Sequence, residues 1–256
     1  MNGFSAFLRK EWMEQWRTFR LPILLVVFAI FGMTNPLIAK LTPEILKGLT
    51  GDGMMITLPE PVAMDAWAQF FKNASQTGLF VFLILFSGTL TGEMRRGTLT
   101  IPLSKGMARP VVVWAKFAIA AFAWTLALTL SFCLTALYTR FLFPEALPRL
   151  TATATLLLWL FGLLLLATLL LSSVLTGTTA GTLLITAGFA VVLLIANILP
   201  DLHSWNPASL VQESLPMLRG MTDVSQIGPA ILITCFLTIA FLLLAASLLR
   251  RFTPVS

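Results

Sequence analysis

Apolar positions along the chain gather into six long stretches, roughly Leu21–Leu41, Thr77–Gly92, Phe117–Thr139, Ala152–Leu175, Gly181–Leu199 and Pro229–Leu249. A hydrocarbon layer about 30 Å thick is crossed by about 20 helical residues at 1.5 Å each. A spanning backbone must satisfy its own hydrogen bonds, and runs of this length do so as α-helices. The pattern therefore predicts an all-α polytopic membrane protein with six transmembrane helices. The second stretch is the shortest, and its span can begin earlier, because Val62–Ser75 before it also reads as helical. The fourth and fifth stretches are joined by a short turn, Thr176–Ala180. Two longer connections, Leu41–Gln76 and Pro200–Gly228, read as irregular segments, the first ending in a short helix.

Ahead of the first stretch the spacing changes. Phe4, Leu8, Trp12, Trp16 and Phe19 recur every three or four residues, which makes one helical face. Lys10, Glu14 and Arg17 fall on another face, spaced for local ion pairs. Residues 1–20 are thus expected to form an amphipathic helix lying in the membrane interface, with Trp12 and Trp16 at headgroup level and Arg17 toward water. Two roles fit it. One is anchoring and topology alone. The other adds contact with a cytoplasmic partner.

Composition narrows the class. The chain has 256 residues, of which 57% are hydrophobic and 11% charged, with mean hydropathy +0.90. Soluble domains average roughly 45–50% apolar and about 25% charged residues. Disordered, nucleic-acid-binding and most soluble enzymatic classes are excluded. The net charge of +6 is spread unevenly. Arg9, Lys10, Arg17, Arg20, Arg95, Arg96, Lys105, Arg109, Lys116, Arg250 and Arg251 share one side of the membrane in a six-span threading. Lys40, Lys47, Lys72, Arg140, Arg149 and Arg219 take the other. Only Glu11, Glu14 and Glu93 oppose the first set. Basic residues mark the cytoplasmic side, so both termini are expected inside. The first run is too long for a cleaved signal peptide and no small-residue cleavage site follows it. Residues 1–256 read as one transmembrane domain, a multi-pass protein of the cell membrane, in a bacterium the plasma membrane. Cys133 and Cys235 sit inside apolar runs, with no metal-ligand spacing.

The segment Glu93–Lys116 carries five basic residues and one acid, yet also displays Leu99, Ile101, Leu103 and Met107. Gly97 and Pro102 punctuate it, and Pro110 suits the first turn of the next helix. Apolar side chains at a water boundary suit a short helix that docks in a groove of another protein. The competing reading is a basic loop resting on anionic lipid. Glu93, at the membrane edge, has Arg95 two positions on and Lys116 across the loop. Such a pair either ties the second span to the third or is a solvated contact worth about 0–1 kcal/mol.

The order amphipathic helix, span, long outer loop, span, then Glu93-x-Arg95-x-Gly97-Thr98-x5-Ser104-x4-Arg109-x6-Lys116, resembles the membrane subunits of ABC-2 type transporters. Glu93–Lys116 carries the likeness at residue level; elsewhere it is architectural. The resemblance implies that Gly97–Ser104 is a coupling helix that docks on a separate ABC ATPase subunit. It implies that the N-terminal helix is the connecting helix of that family, and that 200–228 folds back as short helices at an outer gate. It also implies a second permease copy, identical or paralogous, with the pathway at the shared interface. Two departures stand out: a long first outer loop, and a turn Thr176–Ala180 with no charge.

No G-x-x-x-x-G-K-[ST] phosphate loop occurs. A transporter of this kind is therefore non-catalytic and holds no cofactor, with ATP and magnesium on the partner subunit. No His/Cys/Asp/Glu cluster is spaced for a metal. His203 reads as a loop residue. No nucleophile–base pair suggests a protease. The spans are almost free of ionisable groups, which weighs against a proton-coupled carrier. Asn35-Pro36 and Asn197, near outer span ends, are candidate gate residues; a fixed kink at Pro36 and a helix cap at Asn197 are the alternatives. Gly88 and Gly92 allow close helix approach. The functional expectation is an ATP-driven exporter permease for hydrophobic or amphipathic cargo such as a drug, a lipid-like molecule or an antimicrobial peptide. The alternative is a non-transporting membrane anchor or sensor that docks a cytoplasmic partner.

Overall fold

The computed structural model describes residues 3–50, 60–98, 109–144 and 148–251. A first helix, α1 (Gly3–Arg17), precedes α2 (Arg20–Thr50). Then come α3 (Ala63–Asn73), a π-helical turn (Ala74–Gly78) and α4 (Leu79–Arg95). The sequence continues with α5 (Arg109–Leu142), α6 (Thr151–Thr176) and α7 (Thr179–Ala196). Short helices α8 (Pro200–His203), α9 (Ser209–Gln212) and α10 (Ser214–Leu218) lead through a 3₁₀ turn to α11 (Gly228–Arg251). No strand occurs among the described residues. Six helical stretches are long and apolar enough to cross a bilayer, and the chain is an all-α, multi-pass membrane protein.

Four of the six spans lie within about five residues of the apolar runs read from sequence; the third begins at Pro110 rather than Phe117, and the second moves further. The second span takes the earlier start that the helical reading of Val62–Ser75 allowed: it is a continuous stretch Ala63–Arg95, because α3 runs through the π turn into α4. At 33 residues it is roughly 50 Å long, well beyond one perpendicular crossing. The expected irregular segment from Leu41 is also helical as far as Thr50. The fifth span ends at Ala196 rather than Leu199.

α6 is the axle of the bundle. Every residue from Leu163 to Val174 is buried, with α4, α5, α7 and α11 packed around it. This matches its sequence, which is apolar on all sides. Aromatic side chains dominate the core midway: Trp124 packs edge-on to Phe28 and tilted against Phe82, and its indole N–H donates to the Trp159 carbonyl at 3.2 Å. Gly162 is where it is because a Cβ there would stand 2.5 Å from the Trp124 ring. Gly88 and Gly92, by contrast, line no close contact: nothing approaches a Cβ at Gly92, and at Gly88 the nearest atom is 3.9 Å away. The tight approaches fall at Gly32, Gly78, Gly162 and Gly181 instead.

Pro36 sits inside a continuous α2. Its missing N–H leaves the Gly32 carbonyl without its helical donor, and the Thr135 hydroxyl of α5 donates to that carbonyl at 3.3 Å. The two helices approach closely there, since a Cβ on Gly32 would lie 2.9 Å from the Ser131 carbonyl. Next to it, buried Asn35 accepts from Asn73 Nδ2 at 2.6 Å. Asn35 and Pro36 are therefore tied to α3 and α5. α7 lies at the periphery, its apolar side chains mostly exposed. Hydroxyls hold it: Thr91 with Thr179 at 3.3 Å, and Thr182 donating to Ser173 at 3.4 Å. Gly177, at φ +62°, ends α6, and the Thr178 side chain caps α7.

Candidate functional site

At the end of the bundle that carries Glu93 and Lys116, six charged side chains from four helices meet. α1 packs at this end against α5 and α2. Its buried face is Phe7, Glu11 and Gln15, spaced by four. Leu8 and Trp12 flank that face, and Trp12 packs edge-on against Trp16 and against Phe122 of α5. Trp16 and Phe19 remain exposed, as does Arg17. The apolar face read from sequence is thus present. The face turned to the bundle is rotated away from it and carries a carboxylate.

That carboxylate, Glu11, is 1% exposed. Both its oxygens accept from Lys116 Nζ of α5, at 3.1 and 3.0 Å. Lys116, 2% exposed at its side chain, also meets Glu93 Oε2 of α4 at 2.9 Å. Lys10 closes the ring: its ammonium donates to Glu93 Oε1 and to Glu11 at 3.0 Å, and pairs with Glu14 at 3.1 Å. Glu14 in turn faces Arg20 of α2 at 3.7 Å. Three cations and three carboxylates balance. This matters because a buried charge without a partner is far more costly than a surface one. Burial alone pulls the Lys10 ammonium toward lower pKa; the hydrogen bond to Glu93 and the charges of Glu11 and Glu93 outweigh it and hold the group above its ordinary value.

Glu11, Glu14 and Glu93 bring oxygens within 4.8 Å of one another, a spacing a metal ion could use. Lys10 and Lys116 already stand among these oxygens. The arrangement is an ion-pair junction of α1, α2, α4 and α5, not a donor set open on one side.

Of the residues singled out in the sequence, Glu93 and Lys116 are brought together and Arg95 is not: it is exposed at the rim with Arg96. Gly97 adopts φ +66°, which turns the chain as it leaves α4, and the Thr98 hydroxyl reaches the Glu93 carbonyl at 3.5 Å. Leu99, Ile101, Leu103 and Ser104 lie outside the described residues. Arg109 opens α5 but its side chain lies outside them too. Four members of the junction are not among the site residues read from sequence: Lys10, Glu11, Glu14 and Arg20. The Lys10–Glu14 pair was legible at its i, i+4 spacing. Glu11 was not, because it lies between the apolar and polar faces of α1. A usable signal existed: Glu11, Glu14 and Glu93 are the only acids on a side holding eleven cations.

At the far end, α9 and α10 fold back onto α6, and α10 also touches α3. Asn197 donates to Gln212 at 2.5 Å, and Asn206 donates to the Leu193 carbonyl at 2.7 Å. His203 meets Glu213 at 2.9 Å, and Thr222 donates to the other Glu213 oxygen at 2.6 Å. Asn197 is therefore a fastening between α7 and α9. Both cysteines are free and exposed on the apolar surface.

The fold and the junction define a multi-pass membrane protein whose charged end is knitted to the N-terminal helix α1. No family model matches the chain. It is similar to an uncharacterized transmembrane protein, YxlG, of Bacillus subtilis (strain 168), with 25% identity over 148 residues. That match covers 57% of this chain and 57% of the relative.

Proposed function

We infer that this chain is the membrane-spanning permease subunit of an ATP-driven ABC exporter, paired with a second permease copy and driven by a separate ATPase subunit. The observation that carries the reading is the junction. Glu93 and Lys116 stand at the two ends of the 93–116 segment and are 2.9 Å apart, and Lys10 and Glu11 tie both to α1. A force applied to that segment passes at once into the second span, the third span and the interfacial helix. Packed elements joined by buried ion pairs move together, because separating them leaves unpaired charge. The second and third spans then carry the motion toward the far end. ATP and magnesium belong to the partner in this reading; the chain itself is non-catalytic. Both termini and the 93–116 segment face the cytoplasm, consistent with the basic bias. The spans offer apolar, aromatic and hydroxyl-bearing surfaces with few charges, which suits hydrophobic or amphipathic cargo.

The test is purification of the tagged full chain together with the product of any adjacent gene encoding a P-loop ATPase. Its nucleotide hydrolysis is then measured in proteoliposomes with wild-type chain and with Glu93→Gln. The reading expects copurification, and hydrolysis that responds to the permease in the wild type but not in the variant. A chain that anchors a cytoplasmic protein without any ATPase would contradict it. Equal coupling in Glu93→Gln would reduce Glu93 to a topology residue.

A further inference from the structure

Among the described residues, the junction takes up all three side-chain carboxylates at its end of the bundle. Glu11, Glu14 and Glu93 are shared among Lys10, Lys116 and Arg20. Arg9, Arg17, Arg95 and Arg96 are exposed, and none of the four takes part in an ion pair among the described residues. Arg96 also lies within electrostatic range of Arg20, so like charges crowd one side of the rim. The rim is thus basic by construction: neutral inside, unopposed outside.

We propose that this rim binds the headgroups of anionic phospholipids, with Arg9 and Arg17 of α1 and Arg95 and Arg96 at the end of α4 as the contacting cations. Position favours lipid over an acidic protein. Trp12 packs on Phe122, itself 52% exposed on the lipid-facing side of α5. Trp16 and Phe19 extend that apolar surface along α1, at 48% and 65% exposed. The surface that α1 presents is therefore continuous with the one the spans present to acyl chains, and Arg17 directly follows Trp16. Aromatic side chains with flanking arginines are the arrangement that holds an interfacial helix at headgroup depth. Arginine adds forked donors matched to phosphate oxygens. The site is independent of any motor subunit and of which side of the membrane the rim faces.

The experiment reconstitutes the full chain in phosphatidylcholine vesicles with trace spin-labelled phosphatidylglycerol or spin-labelled phosphatidylcholine. The motionally restricted fraction of each probe is read by electron paramagnetic resonance. Wild type should prefer phosphatidylglycerol several-fold, and 0.5 M salt should erode the preference. Arg9→Gln/Arg17→Gln and Arg95→Gln/Arg96→Gln should each lower it, by about fivefold per cation at most. The four together should bring it close to one. The control Arg140→Gln/Arg149→Gln, at exposed positions of the far end, should leave it intact. Should the fourfold variant not fold, the two pairs carry the test. Equal association of both probes with wild type would overturn the proposal. So would a preference that survives in both pairs or vanishes in the far-end control. Loss of an acidic protein partner in these variants, with no lipid preference in the wild type, would assign the rim to that protein instead.

Discussion

Lys116→Met tests whether the junction is a structural keystone. The substitution keeps most of the side-chain volume and removes the ammonium. Glu11, 1% exposed, loses the cation that both its oxygens contact and keeps only Lys10 at 3.0 Å. Glu93 loses its partner at 2.9 Å and likewise keeps only Lys10. Breaking a buried pair by removing one member costs about 3–5 kcal/mol, since the other member stays buried and charged. For a chain of this size each kcal/mol moves Tm by about 2–4 °C, so the variant should melt on the order of 10 °C lower in detergent. Glu11→Gln should also destabilise. The pair Glu11→Gln/Lys116→Met should recover much of the loss, with a coupling of about 2 kcal/mol, because neither ion is then stranded. Unchanged melting in Lys116→Met, or two losses that simply add, would show that the pair contributes nothing and refute the reasoning.

Other consequences follow from the packing. Gly162→Ala places a methyl 2.5 Å from the buried Trp124 ring and should cost about 1–3 kcal/mol by thermal melting, whereas Gly92→Ala, with open space around it, should not. Thr135→Val strands the Gly32 carbonyl and should cost about 1–3 kcal/mol; in a Pro36→Ala background, where the helical N–H is restored, the cost should shrink. Because the Lys10 pKa is raised on folding, its stabilisation is complete below the ordinary lysine range and is lost only as pH rises past it. Docking of α1 should accordingly persist through neutral and mildly alkaline pH. Thiosulfonate labelling of Gln15→Cys, normalised to exposed Arg9→Cys, should stay slow until strong alkali.

Six spans were legible because burial in lipid makes every face of a helix apolar, and the run lengths fix the crossings. The helical reading of Val62–Ser75 already allowed the second span its earlier start; only its extent was blurred by Asp65, Lys72 and Asn73, polar residues that dilute hydropathy without breaking a helix. They are tolerated because Asp65 accepts from the Val62 N–H at 3.0 Å, capping the helix start, and Asn73 pairs with Asn35. Pro36 read as a hinge or, more commonly, a fixed kink; the Thr135 hydroxyl that meets the orphaned carbonyl was not legible, because that contact joins residues far apart in sequence. The same holds for the site. Glu93 and Lys116 bracket one loop and invite pairing, while Glu11 reaches Lys116 across 105 positions, a contact no local pattern encodes. The glycines show the converse: Gly88 and Gly92 have the spacing of a contact seam but line none, and Gly162, without such spacing, lines the tightest.

The measurement that bears most directly on the functional account is the reactivity of Ser104→Cys, in the segment flanked by Glu93 and Lys116, toward a membrane-impermeant maleimide. The account predicts no labelling in intact cells, labelling in inverted vesicles stripped of peripheral proteins, and renewed protection when the ATPase subunit is added back. Labelling in intact cells would place the basic segment outside and contradict the account.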